Sequence, residues 1–345
     1  MENFTAHRLR FVTEAQGVIE LNEHQGSAIR GSLFHALRNR FCGNRQAREC
    51  DSCPLVATCP VAALVSTMNP QGTRGQNVPR PYTIQPPAAD GGGAGHPTAL
   101  PDGRVVFRYR PGERFEFGLT LYAQALQLFP YVVLVVQEFE RSGIGRRTRQ
   151  ADGRWQRGTL RVCEVRAENP LTGERQLVMR ADDRMVQMPD VPITHHQVDE
   201  WVNGQMADGR VTVRFWTPTR LVARKRLVKP DQFRFQVLFQ RLMERLESLS
   251  RDFSDTPLVF DDPKGLIAAA GQVRVVENRL RWEELRSYST RRRAESPTSG
   301  LLGEVVLEAE DWSPFLLWLV WGQFTHVGKD AVKGNGWYSV ASGQV

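Results

Sequence analysis

Seven histidines are scattered along the 345 residues, and His35 stands in company that suits proton transfer beside a phosphate. Imidazole titrates near neutrality, so it can take or give a proton under ordinary conditions. Arg38 and Asn39 follow it by one helical turn and Gly31 precedes it by one, which sets a fixed cation and open space beside the ring. A solvated surface histidine would look the same at this level. His24 lies in the loop just ahead, where the free amides of a helix start favour anions; a plain turn residue is an equal reading. Cys42, Cys50, Cys53 and Cys59 crowd into one short segment. Four thiols with one CxxC step suit a structural tetrahedral zinc. Their spacing is not that of a zinc ribbon, and an iron–sulfur cluster or free thiols are the alternatives. Cys163 stands alone and reads as a core residue.

Elements must hold these groups in place. Ile29, Leu33, Leu37 and Phe41 recur every fourth residue, which predicts a helix over about 28–41 with His35 nearly opposite its apolar stripe. A strand-like stretch over 8–21 precedes it. Phe115, Phe117, Leu119 and Leu121 alternate with Glu116, Gly118 and Thr120 as a half-buried strand does. A helix over 130–141 and an Arg-rich hairpin over 143–165 complete a first half. The second half repeats the order. It has a strand from Val211 that runs on through Thr219 toward Lys229, a long helix over 232–253 with Leu238, Leu242, Leu246 and Leu249 on one stripe, and two strands over about 266–289 and 302–309. A helix starting at Ser313-Pro314 and a last strand over 336–340 follow. Two βαββαβ units in tandem describe an α+β, duplicated ferredoxin-like (RRM-like) fold. Residues 1–184 form the first unit, with the cysteine insertion at about 42–60. Residues 185–208 read as a linker and 209–345 as the second unit.

Lys and Arg total 45 against 38 Asp and Glu, for a formal charge of +7, with arginine favoured. Guanidinium groups match phosphate oxygens, so the surplus suits a polyanionic partner. Phosphate contacts are expected from Arg30, from Arg146 and Arg147 on the first hairpin, from Arg220, Arg224, Lys225 and Arg226 in the second half, and from Arg291 and Arg292 in a later loop. Near the end, Gly328, Lys329, Lys333, Gly334 and Gly336 form a glycine-rich loop beside His326. Its amides are expected to approach a phosphate chain closely; a tight turn is the other reading, and for His326 a packed helix-end histidine. No apolar run is long enough to cross a bilayer and no secretory signal opens the chain, so a cytoplasmic protein with no membrane partner is expected. No stacking pair of aromatics of the RRM kind is evident.

Together with Thr217-Pro218-Thr219-Arg220-Leu221, the hairpin Gly143-Ile144-Gly145-Arg146-Arg147 and the helix Arg30 to Arg38, that glycine loop resembles the RAMP superfamily, specifically the CRISPR-associated endoribonucleases that process precursor RNA. The resemblance runs in order along nearly the whole chain. It implies binding of CRISPR repeat RNA and metal-independent cutting by attack of a ribose 2′-hydroxyl, which leaves a 2′,3′-cyclic phosphate and a 5′-hydroxyl. No cofactor is implied for catalysis. A catalytic histidine in the first helix is carried over to His35, with Arg38 supplying charge and His24 as second candidate. The chain departs from members that add an early tyrosine and lysine, since no tyrosine precedes Tyr82 and no lysine precedes Lys225. Arg30, Arg38 or Arg40 must then supply the charge. The competing reading is a non-catalytic RAMP subunit that holds crRNA among the subunits of a CRISPR effector complex. A homodimer is compatible with either.

Overall fold

The computed structural model describes residues 1, 3–47, 50, 52–65, 78–87, 95–183, 185–204, 209–289 and 294–342, without the side chains of 286–289 and 294–296. Two compact units result. One comprises His7–Asn169 and Gly173–Pro192, and the other Met1–Ala6, Pro170–Thr172 and Ile193–Val345.

The first unit runs β1 (Ala6–Ala15), β2 (Ile19–Asn22), α1 (Gln25–Phe41), α2 (Pro60–Val65), β3 (Tyr82–Gln85), β4 (His96–Ala99), β5 (Val105–Tyr109) and β6 (Arg114–Tyr122). It continues with α3 (Phe129–Gln137), α4 (Phe139–Ser142), β7 (Ile144–Arg149), β8 (Trp155–Gly158), β9 (Leu160–Glu168) and β10 (Arg175–Arg180). The main sheet has the order β10-β9-β1-β6-β3. Four of its strands, β9-β1-β6-β3, follow the ferredoxin-like path β1-α1-β3-β6-α3-β9, with β10 added beside β9. Alternation decides which face packs: Phe115, Phe117, Leu119 and Leu121 are buried, and Phe117 stacks on Phe11 of β1 at 5.1 Å. Ile29, Leu33 and Leu37 of α1 lie in the same core, while Phe41 meets Tyr131 of α3 edge-on at 5.2 Å. The outer ends of β1, β6 and β9 carry an ionic lattice, in which Arg166 reaches Glu116, Glu164 and Glu168.

The second unit contains α5 (His195–Gly204), β11 (Arg210–Thr219), the short β12 (Val222–Ala223) and β13 (Arg226–Leu227), α6 (Phe235–Phe253) and α7 (Pro263–Ala270). After these come β14 (Arg274–Glu283), β15 (Arg286–Ser289), β16 (Ala294–Pro297), β17 (Gly300–Glu308), α8 (Leu316–Thr325) and β18 (Tyr338–Ser342). The sheet order β14-β17-β11-β18 is the ferredoxin-like arrangement once more. The stripe Leu238, Leu242, Leu246 and Leu249 is fully buried, as the spacing predicts.

The strand β3 lies in a stretch rich in glycine and proline, a composition that ordinarily signals loop. Four expectations need correction. The strand β11 ends at Thr219 rather than running on toward Lys229. Residues 263–270 are helix rather than strand, started by Asp262, whose carboxylate accepts from the Gly265 amide at 2.8 Å. Helix 130–141 is two short helices. The expected linker is not one segment: residues 185–192 belong to the first unit and His195–Gly204 is a helix of the second. There the Trp321 indole donates to His195 at 3.2 Å.

Candidate active site

His35 is half-buried on α1, with the Phe34 ring edge-on beside it at 5.5 Å. Burial pushes its pKa below the usual histidine value, and the cations of Arg157, Arg38 and Arg30 push the same way. A neutral imidazole is the form that can accept a proton. A Cβ built at Gly31 would meet nothing within 4 Å, so the space one turn back from the ring is open.

Arg157 belongs to the hairpin of β7 and β8, and glycines decide where that hairpin sits. A Cβ at Gly145 would fall 2.2 Å from the Glu20 carbonyl oxygen, and one at Gly158 2.2 Å from that of Val18. Only bare backbone lets the hairpin close onto β2 in this way. Gln150 fastens the contact, accepting from the Val18 amide at 3.0 Å and donating to its carbonyl at 3.1 Å. The hairpin then lines a half-open pocket of about 300 Å³ with Arg141, Arg147, Trp155 and Arg157. Of these, Arg147 and Arg157 belong to the Arg-rich hairpin and Arg141 to α4, while the exposed ring of Trp155 carries no periodic signal.

The other expected site residues separate. His24 is buried and caps α1: its Nδ1 accepts from the Ser27 amide at 3.2 Å. That is the geometry of a helix cap. Arg38 donates to the Arg45 and Ala47 carbonyls, each at 3.4 Å, and is committed to the loop after α1. Arg40 pairs with Glu138 at 3.2 Å. Arg30 stands 5.9 Å from the centre of the Phe34 ring. Arg146 is half-buried and near enough to Asp102 to help hold that carboxyl at about 2, chiefly the work of Arg104.

The glycine loop is packed against its own chain. At Gly336, φ is +73° and a Cβ would lie 1.8 Å from the Val327 carbonyl oxygen; at Gly328 it would lie 2.5 Å from that of Arg220. The amides of Lys329, Gly334 and Gly336 donate to the Arg220, Ala331 and Pro218 carbonyls. These three amides are thus engaged within the loop's own chain. Lys333 pairs with Asp330 at 2.9 Å, and the buried Arg220 lies 3.9 Å from the same carboxylate. His326 is fully buried, with Nδ1 at 3.2 Å from the Asn335 carbonyl oxygen. Lys329 stays exposed, as do Arg224, Lys225 and Arg226 around the turn between β12 and β13. Arg224 and Lys225 hold φ of 45° and 65°, a conformation that usually selects glycine or asparagine. Arg291 and Arg292 lie outside the described residues.

Among the described residues no three His, Cys, Asp or Glu side chains could jointly hold a metal ion. Cys42, Cys50, Cys53 and Cys59 form no disulfide, and the Asn44 amide donates to the Cys53 sulfur at 3.8 Å. The residues as arranged do not fit the expected zinc. No helix among the described residues is long and apolar enough to cross a membrane.

Comparison with known proteins bears on this arrangement. Residues 213–338 match a family model described as CRISPR-associated endoribonuclease Cas6, and residues 4–191 match one described as an N-terminal domain. The structure of a partial Cas6-RT-Cas1–Cas2 complex superposes with a TM-score of 0.58 at 13% identity, over 99% of this chain and 46% of that one. This chain therefore spans less than half the length of that relative. Thermus thermophilus Cas6 aligns at 0.51 and 13% identity over 98% of each chain. A Cas6 product complex aligns at 0.51 and 14% identity, over 98% of this chain and 99% of that. No curated protein matches the sequence. At such identities the likeness establishes the fold, which is the tandem ferredoxin-like one. The family match lies in residues 213–338, which resemble the CRISPR-associated endoribonuclease Cas6; over the rest of the chain the likeness is one of fold.

Proposed function

We propose that this chain is an endoribonuclease that processes CRISPR repeat RNA in precursor transcripts, and that His35 performs the proton transfer without a metal. One observation carries the reading. A half-buried imidazole, kept deprotonated by burial and by arginines, stands beside open space on α1. The match of residues 213–338 to the Cas6 endoribonuclease model supports RNA cleavage as the activity.

In this mechanism neutral His35 takes the proton of the ribose 2′-hydroxyl next to the scissile bond. The freed oxygen attacks the adjacent phosphorus, the bond from phosphorus to the 5′-oxygen breaks, and the departing oxygen takes a proton from solvent. The products are a 2′,3′-cyclic phosphate and a 5′-hydroxyl. Negative charge builds on the phosphorane oxygens, and fixed guanidinium groups lower the barrier at that moment. Arg157 and Arg30 suit this role better than Arg38, whose donors already serve the loop carbonyls. Arg224, Lys225, Arg226 and Lys329 supply backbone contacts in the second unit.

Incubating the purified chain with repeat RNA in excess chelator tests the reading. Site-specific cleavage leaving a cyclic phosphate is the expected result. Tight binding with intact RNA would instead identify a crRNA-holding subunit and end the nuclease proposal.

A further inference from the structure

The pocket on the hairpin of β7 and β8 combines two features that seldom occur together on a surface without a partner. Trp155 is 71% exposed, and among the described residues its ring meets no other aromatic group and its indole N–H has no acceptor. Around it stand Arg141, Arg147 and Arg157, none in an ion pair among the described residues. Other arginines of the same unit behave differently: Arg154 pairs with Asp152, Arg161 with Asp182 and Arg40 with Glu138. The three arginines line one pocket, and burial together with the Arg147 charge opposes protonation of Arg157. An anion arriving between them removes that repulsion. An exposed indole next to it offers a flat face, and every nucleobase has a matching one.

We propose that this pocket is a nucleotide subsite of the RNA-binding surface, one that takes an unpaired nucleotide flanking the scissile bond. Its base stacks on Trp155 and its phosphate lies among Arg141, Arg147 and Arg157. The inference rests on the cleavage reading for its location, because Arg157 borders both the pocket and His35. The volume of about 300 Å³ is of nucleotide size and too small for a duplex. Gln156 and Thr159 offer polar groups at the wall to a base edge. Recognition here is of a base pulled from its stack, so a strand paired through the cut site would be a poor substrate.

The test couples a protein change with an RNA change. Affinity is measured for repeat RNA whose 2′-hydroxyl at the cut site is replaced by hydrogen, which blocks cleavage, and for the same RNA with single abasic nucleotides on either side. For the native protein one abasic position should weaken binding by about ten-fold or more. Trp155→Ala should weaken binding of the intact RNA to a similar degree and be indifferent to that abasic position, and Trp155→Phe should recover most of the loss. If Trp155→Ala binds as the native protein does, or keeps the full abasic penalty, the pocket is not a base subsite and the proposal is overturned. Cleavage of unmodified RNA by the native protein is scored separately, so failure of the nuclease reading is told apart from failure of this one.

Discussion

Arg157, near the end of β8, lies close enough to His35 on α1 for its charge to add to burial in holding that imidazole below the usual histidine range. The pair joins two elements far apart in sequence, and its geometry depends on Gly145 and Gly158 letting the hairpin settle onto β2. A base made neutral by a neighbouring cation gains a second property. Once a phosphate lies beside that cation, its charge offsets the guanidinium, and proton affinity returns to the ring as RNA arrives.

Replacing Arg157 by methionine is therefore expected to raise the His35 pKa toward 6.5, its usual value. Proton NMR titration of the ring checks this directly. In kcat/KM, which reports the free enzyme, activity of the native protein should fall on the acid side as His35 takes up a proton. That limb should begin below pH 6.5 and move upward in the variant. An unmoved limb would mean another group governs it.

Loss of the ring itself should separate cutting from binding. His35→Ala is expected to lower the single-turnover cleavage rate by about 10²- to 10⁴-fold, with affinity for repeat RNA nearly unchanged. His24→Ala should give the opposite pattern, a loss of about 1 kcal/mol of stability from the missing cap and little change in chemistry per folded molecule. Equal loss of cutting in both would return His24 to the site.

Much of this was legible before any coordinates. Alternation at Phe115 to Leu121 and the leucine stripe of α6 are strong periodic signals, and they fixed both halves of the duplicated fold. The site was legible only as far as local spacing reaches. His35 and Gly31 are neighbours on one helix, so their relation follows from 3.6 residues per turn. Nothing local says that Arg157 comes near them, because that placement needs two glycine-mediated approaches across more than a hundred residues. The glycine loop shows a related limit. Glycine marks close approach of backbone to something, and sequence alone does not say that Val327 and Arg220 of the same chain stand there. Cysteine spacing is limited likewise, since four thiols close in sequence need not converge in space.

The glycine loop makes its own prediction. At Gly336 a methyl group would need both a left-handed backbone and room occupied by the Val327 carbonyl. Gly336→Ala is expected to destabilise the second unit by about 2–4 kcal/mol, read as a lower denaturation midpoint. Lys329→Ala leaves the fold intact and should weaken RNA binding evenly across sequences, with a salt dependence shallower by about one counterion. A fully stable Gly336→Ala protein would contradict the packing described.

If the thiols are free as arranged, removing metal should change little. Overnight dialysis against a strong chelator is expected to leave the thermal midpoint and RNA cleavage as they were, and metal analysis should find well under one zinc per chain. Stoichiometric zinc whose removal unfolds the first unit would restore the four-cysteine site.

Acid stability reports on another histidine. His7 of β1 is 8% exposed, and burial lowers its pKa to about 4, outweighing the opposite pull of Asp190. In the unfolded chain the same ring titrates near 6.5. Between these values the unfolded state binds a proton that the native state refuses, so stability declines as pH falls from about 6.5 and stops declining on this account below about 4. The full loss is about 3 kcal/mol. His7→Gln carries no such proton, so although it starts less stable at pH 7, its thermal midpoint should drop less than that of the native protein on going to pH 4.5. His35, also depressed, adds to the same slope in both proteins and does not blur the comparison. Identical drops would show that His7 is solvated in the native state, and that β1 opens more readily than its packing implies.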